Sequence, residues 1–194
     1  MFEFKLMTAD DLPQVLKWRT SKVVTQFMFT DIEADLHAQQ QWFKRTKQDT
    51  SCCYWLIYYQ EKAIGVLSIN DIDVNHQSCS WGFYIGDENV RNLGGLIPPY
   101  FYNFVFSQTI IETITAEVME HNQQVKKLHK LHGYQFIETL SQHVCKVEHY
   151  FDVDVFKLTK TAWLTKKRFA KFEASFERDV KLNVVLNTEI EKST

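Results

Sequence analysis

The hydrophobic patterns along this 194-residue chain predict an α/β (α+β) fold. The expected form is a mixed, mostly antiparallel central sheet of about seven strands flanked by about four helices, with a C-terminal helical extension. Three observations carry that expectation. Short β-leaning runs and helix-start signals alternate in the order β-α-α-β-β-β-α-β-α-β-β. A glycine pair, Gly94-Gly95, opens the helix after the fourth strand. A strand, a capped helix and a further strand then follow between Ile114 and Phe136.

Phe2–Met7 alternates as a first strand, and Thr8-Ala9-Asp10-Asp11 is a helix-start signal. Leu12, Val15, Leu16 and Trp18 give the next segment one apolar face. Residues 35–47 form a second helix, polar apart from Trp42 and Phe43. Three strands are expected over Cys53–Tyr59, Ala63–Ile72 and Ser78–Ile85, joined by hairpin-length turns at Gln60-Glu61-Lys62 and Asn75-His76-Gln77. The aromatic-rich helix that Gly95 opens runs to about Phe106. After the short strand to Met119, Asn122 is placed to cap a helix with apolar residues at Val125, Leu128 and Leu131. Gly133-Tyr134 breaks that helix, and two long strands follow, around Tyr134–Val147 and Tyr150–Leu158. Residues 1–160 thus read as one domain. In residues 161–194, Trp163, Leu164, Phe169, Phe172 and Phe176 recur among alternating charges as in a surface helix, and the polar end is expected to fray.

Composition narrows the function classes. The chain is 45% hydrophobic and 14% aromatic, enough for a substantial core. A net charge of -2 gives no electrostatic reason to expect nucleic acid or an anionic membrane as partner. The start MFEFKLMTADD lacks signal-peptide character and no apolar run is long enough to span a bilayer, so a cytoplasmic protein is expected. Cys52, Cys53, Cys79 and Cys145 show no metal-ligand spacing. His129 and His132 stand three apart without a third ligand, so no metal site is expected.

Two features carry chemistry. Gly94-Gly95 lets backbone amides approach an anion such as a pyrophosphate at a helix N-terminus, where unpaired N–H groups and the helix dipole favour negative charge. Glu117 sits within a mostly apolar strand, where burial would raise its pKa into a range suited to proton transfer. The alternative is a solvated strand face shared by parity with Thr113 and Thr115. Likewise, Ser68 suits either a proton path or ordinary strand hydrogen bonding, and His129 either an acid role or a helix surface.

With these motifs in place, residues 1 to about 160 resemble the GCN5-related N-acetyltransferase (GNAT) family. Arg91-Asn92-Leu93-Gly94-Gly95-Leu96 matches that family's Arg/Gln-x-x-Gly-x-Gly/Ala loop except at Leu96. Asn122, Leu128, Gly133 and Tyr134 fill its Asn-x-x-Ala/Ser-x-x-Leu-Tyr block and the Gly-aromatic that ends it. Leu16-Lys17-Trp18-Arg19, Gln26-Phe27-Met28, Gly82-Phe83-Tyr84 and Glu117–Asn122 are similar to the nucleotide-sugar N-acetyltransferases of pseudaminic-acid biosynthesis.

The resemblance implies acetyl-CoA as co-substrate and direct transfer, in a ternary complex, to the 4-amino group of a UDP-4-amino-4,6-dideoxy sugar. It implies Glu117 as base, with Ser68 on the same proton path. His129 stands where the family has a tyrosine acid. The amides of Leu93, Gly94, Gly95, Leu96 and Ile97, beside Arg91, would meet the CoA phosphates. The backbone of Phe83, Tyr84 and Ile85 would pair with pantetheine, with Asn122 and Leu128 alongside. Arg19 would hold UDP phosphates, Phe27 or Met28 would pack on the 6-deoxy methyl, and Gln39 replaces a substrate-side histidine. The alternatives are another amine (a peptide N-terminus or a polyamine) or a non-catalytic CoA-binding module. The extension leaves open a second copy of the chain, a homo-oligomer, as partner.

Overall fold

The computed structural model describes residues 1–184; the polar end at 187–194 lies outside the described residues. Eight strands form one sheet: β1 (Phe2–Leu6), β2 (Cys53–Tyr59), β3 (Lys62–Asp73), β4 (Ser78–Ile85), β5 (Thr113–Met119), β6 (Gln135–Lys146), β7 (His149–Thr159) and β8 (Ser175–Phe176). Their order across the sheet is β6-β7-β5-β4-β3-β2-β1-β8. Only the β4–β5 and β1–β8 neighbours run parallel. The β2–β3 and β6–β7 hairpins turn on Gln60-Glu61 and Val147-Glu148, all four at positive φ. Two left-handed residues match the twist of the flanking strands.

The helices are α1 (Leu12–Arg19), α2 (Lys22–Thr25), α3 (Leu36–Gln48), α4 (Ile97–Gln108), α5 (Gln123–His132) and α6 (Lys160–Leu164). Asp35 caps α3 by accepting from the His37 and Ala38 amides at 2.8 and 3.1 Å. On one face of the sheet, α1 and α3 bury Leu12, Val15, Trp18 and Phe43 against Leu56 and Val66. On the other, α4 lays Phe101, Tyr102, Phe104 and Val105 on Trp55, Leu67, Ile114 and Val118. Each such large apolar side chain contributes about 1.5–3 kcal/mol when fully buried.

Two expectations are corrected. The buried stripe of α5 is not Val125, Leu128, Leu131: Leu131 is 46% exposed, whereas His129 and His132 are buried. Val125, His129 and His132 follow the i, i+4, i+7 rule, and the two imidazoles occupy places a polar/apolar alphabet assigns to solvent. Gly133 ends the helix at φ 96°, a left-handed cap natural to glycine. A side chain there would also meet Lys166 Cε at 2.8 Å.

The extension is helical at its start, in α6 and a 3-10 turn over Lys167–Phe169, and again in a 3-10 turn over Val180–Val184. The single surface helix expected to span Phe169 and Phe176 does not form. Instead the chain runs back across α4 and adds β8 beside β1. Asn103 of α4 fixes it, donating to the Phe169 and Phe172 carbonyls at 2.9 Å each and accepting from Trp163 Nε1 at 2.7 Å. Phe176 stacks between Phe4 and Phe104, with ring centroids at 4.1 and 4.2 Å. The phenylalanines of the extension therefore cover the domain's own core.

Candidate active site

The site begins where a ladder fails. Strands β4 and β5 pair through Ser78–Thr113, Cys79–Ile114 and Ser80–Thr115 only, yet run on to Ile85 and Met119. Beyond Ser80 they part and leave a gap walled by 81–85 and 116–119. Backbone groups that face such a gap need partners, so it suits an amide-bearing arm that pairs like a strand.

Register places the chemistry at this gap. Ser68 pairs with Gly82, and continuing the Ser80–Thr115 register by two residues sets Gly82 opposite Glu117. Paired residues share a face, so Ser68 and Glu117 look out on the side of α1 and α3. Ser68 is buried; its hydroxyl donates to the Gly82 carbonyl at 3.3 Å and accepts from Asn70 Nδ2 at 3.0 Å. Gly82 keeps the space beside it open, since a Cβ there would lie 3.8 Å from Ser68 Oγ. Glu117 is exposed, so the solvated-face alternative describes its surroundings, and that face is the one carrying the gap. A carboxylate reached by solvent on the β5 wall, with an oriented hydroxyl one strand behind the β4 wall on the same face, suits removal of a proton from an amine, directly or through water.

The expected cofactor residues converge at the open end of the gap. Gly94 lies against Phe83 and Ile85, whose side chains are 3.8 and 3.6 Å from where its Cβ would be, and Gly95 lies 3.9 Å from Leu128 on the same measure. Asn122 Oδ1 accepts from the Val125 amide at 3.3 Å and so caps α5. Arg91 reaches Glu88 at 3.5 Å on the surface, and Leu96 turns outward, 42% exposed. The cradle is shorter than expected. The Ile97 amide donates to the Gly94 carbonyl, and Pro98 and Pro99 have no N–H. The amides of 93–96 expected to meet an anion lie in a 3-10 segment (Glu88–Leu96), whose own bonds occupy N–H groups along it. These residues fit an acyl-CoA in kind: small residues, strand-like edges and a helix-capping asparagine at one opening.

Three further expectations change. His129 is buried and stacks on Tyr134 at 4.3 Å, with Nδ1 unpartnered among the described residues. Burial, then His132, pushes its pKa down to about 3, so at neutral pH it is an uncharged ring and no imidazolium acid. Arg19 spends its guanidinium on Thr30, carbonyl at 2.7 Å and hydroxyl at 3.0 Å, rather than standing free for phosphates. Gln39 is buried on the inner side of α3 and offers little to a substrate. Phe27, 41% exposed, stacks on His121 with centroids 5.8 Å apart, and the half-buried Met28 follows it.

Sequence reading missed Asn70, although strand alternation from Ser68 finds it. It also missed a cleft of about 440 Å³ lined by Trp42, Arg45, Asp49, Tyr54, Asn70 and Asp71. Burial raises the Tyr54 phenol to about 12 there, so that hydroxyl remains a donor.

A split parallel pair of strands, a glycine turn at its open end and a capped helix beside it are the marks of an acyl-CoA-dependent transferase. Residues 4–155 match the model of the acetyltransferase (GNAT) domain, and the chain belongs to the GNAT family. It is an N-acetyltransferase, and its co-substrate is acetyl-CoA. Two curated relatives are both named acetyltransferase PseH. The one from Campylobacter jejuni strain 81-176 is 24% identical over 73% of this chain and 89% of its own length. The one from strain NCTC 11168 is 23% identical over 66% and 78%. Among solved structures, a spermidine N-acetyltransferase from Vibrio cholerae, in complex with CoA and spermine, has a TM-score of 0.77 at 14% identity, covering 84% of this chain and 98% of its own. A probable GNAT acetyltransferase from Chromobacterium violaceum gives 0.72 at 14%, covering 84% and 89%. Among the described residues no helix is long and apolar enough to cross a membrane, and no group of three or more His, Cys, Asp or Glu is placed to hold a metal.

Proposed function

We propose that this chain transfers the acetyl group of acetyl-CoA to the 4-amino group of a UDP-4-amino-4,6-dideoxy sugar, with Glu117 as the base. The observation that carries the reading is the likeness to acetyltransferase PseH over 89% of that protein's length. Glu117 on the β5 wall of the gap, with Ser68 behind the β4 wall on the same face of the sheet, gives the proton a route off the amine. Strand-edge groups of Phe83, Tyr84 and Ile85 hold the pantetheine arm, and the turn over 93–96 meets the phosphates. The Trp42–Asp71 cleft takes the distal part of the acceptor, and Arg45, exposed on its rim, is the cation there for a diphosphate. With His129 neutral, the departing thiolate draws its proton from water or from the acceptor ammonium.

One observation favours a second reading, a polyamine acceptor: Asp49 and Asp71 stand in the same cleft as Arg45, and paired carboxylates suit a cationic amine. Thiol release from acetyl-CoA distinguishes the two. UDP-4-amino-4,6-dideoxy-N-acetyl-β-L-altrosamine is expected to exceed spermidine in kcat/KM by about 10⁴-fold or more, the discrimination a site built around polar substrate groups gives. The reverse order would transfer the assignment to polyamines.

A further inference from the structure

Residues 25–31, between α2 and α3, pass over the β5–β7–β6 part of the sheet on the face that carries Glu117. Phe29 places them there by packing on Met119, Val144 and Val153. Phe27 stacks on His121, which in turn lies 5.5 Å from Phe151. Thr25 ends α2, and the Phe27 and Met28 amides donate to the Val24 and Thr25 carbonyls at 3.2 and 3.0 Å; beyond Met28 no helix or ladder continues, and two cations from distant parts of the chain tie the stretch down. Arg19, at the end of α1, holds Thr30 and reaches Thr25 Oγ1 at 3.4 Å. Lys146, near the end of β6, donates to the Thr25 carbonyl at 2.6 Å and the Met28 carbonyl at 3.0 Å, and pairs with Asp31 at 2.9 Å.

The Lys146 side chain is only 10% exposed. An ammonium has three donors, and here three oxygens of one segment take them, so little is left for solvent or ligand. Strand alternation puts Lys146 on the same face as the buried Val144 and, through the β5–β7 register, as Glu117. Asp31 completes the knot, accepting from Thr25 Oγ1 at 2.8 Å. Hydrogen bonds from Lys146 and then Thr25 hold the Asp31 carboxyl below its usual range, which favours its carboxylate form. A charged group committed this fully to one loop fixes where that loop's side chains stand.

We infer that Lys146 is a positioning residue for the acceptor: it sets the Thr25–Asp31 segment, and with it Phe27 and Met28, as the wall against which the amine-bearing ring is held in front of Glu117. The inference rests on the reading of this face as the acceptor side. It assigns no contact between Lys146 and the substrate. A segment displaced by an ångström or so changes how the acceptor is presented while the CoA end, on the far side of the gap, is untouched.

The test compares full-length Lys146→Met, Lys146→Arg and native protein, with hydrogen exchange of residues 25–31 and steady-state kinetics against both substrates. In Lys146→Met, exchange in 25–31 is expected to speed up while the β2–β3 strands keep their protection. KM for the acceptor should rise roughly tenfold or more, with KM for acetyl-CoA within about twofold. Lys146→Arg, which keeps the charge and the donors, should recover most of the acceptor KM. Unchanged exchange in 25–31 overturns the clamp. Faster exchange with an unchanged acceptor KM, or an equal rise in both KM values, overturns its role toward the acceptor. If native protein turns over spermidine and not the sugar nucleotide, the substrate reading falls and the clamp is judged with spermidine. If it turns over neither, the acceptor role falls with the substrate reading.

Discussion

The two faces of the sheet are built by different means. The α4–α5 face is sealed by a continuous aromatic layer, from Phe4, Trp55 and Phe176 at one side to Trp81, Tyr102, His129 and Tyr134 at the other. The face under α1 and α3 has an apolar patch around Trp18 and Phe43, then becomes polar over β3, β4 and β5. There Ser68, Asn70, Ser80, Thr115 and Glu117 share a side, and cations fix the loop above them. The difference separates stability from chemistry. Residues on the sealed face are held by shape, so changing them costs stability. Residues on the open face present hydroxyls and charge, so changing them alters the reaction.

That division predicts its largest effect at Glu117. Glu117→Gln removes a base and keeps the shape, so kcat should fall by about 10²–10⁴-fold, the usual worth of a positioned general base. The melting temperature should stay within about 2 °C, since an exposed strand side chain with no hydrogen-bond or ion-pair partner among the described residues contributes little. Rates within threefold of native would leave the open face without its base. Phe176→Ala is the mirror experiment. Removing a ring stacked on both sides should cost about 3–5 kcal/mol in denaturant unfolding while kcat at low temperature is kept. Loss of kcat at unchanged stability would break the comparison.

A third measurement concerns the two histidines inside the sealed layer. Burial pushes His129 to about 3, and burial followed by Arg168 and Lys166 pushes His132 to about 4, both below the unfolded 6.5. The unfolded chain therefore binds more protons in acid. The stability these rings allow is complete above pH 6.5 and is lost as pH falls from there toward 3–4. Between pH 7.5 and 5 the loss is about 2 kcal/mol for each ring. Urea unfolding at the two pH values, compared with His129→Phe, should show a smaller acid loss in the variant. Equal losses would mean that these imidazoles are already charged or already wet.

Legibility in the sequence follows the same division. Strand β2 stands over the residues expected, Cys53–Tyr59, and β4 over Ser78–Ile85, because apolar runs bounded by turns report burial directly. The glycine turn and the Asn122 cap were legible because each needs a particular residue type at a particular place. What was not legible was polar or remote. His129 read as an acid or a helix-surface ring and His132 as no metal ligand, neither as core, because imidazole is counted polar; the phase of α5 was lost with them. The strand at Ser175–Phe176 is too short to show a period and exists only because β1 has a free edge and Phe4 and Phe104 leave a slot. Lys146 lies 121 residues from Thr25, and nothing local marks a lysine that will meet two carbonyls. The cleft at Asn70 and Asp71 is a property of how β3 sits beside α3, which no window along the chain contains.

The smallest expected effect lies on the border between the faces, at Asn122. Its side chain accepts from the Val125 amide, one of the donors a helix start leaves without a partner. Asn122→Ala should therefore cost about 1 kcal/mol of stability, the ordinary worth of such a cap. If capping is all it does, acetyl-CoA affinity measured by calorimetry should hold within about twofold, because the gap walls at 81–85 and 116–119 do not depend on that bond. If the amide also reaches the pantetheine arm, affinity should fall about tenfold, the loss expected when a buried amide of the arm gives up its partner. The second result would make the N-cap residue of α5 part of both faces, structural toward the aromatic layer and binding toward the gap. The first would confine it to the sealed side and leave the arm to the strand edges of β4 and β5 alone.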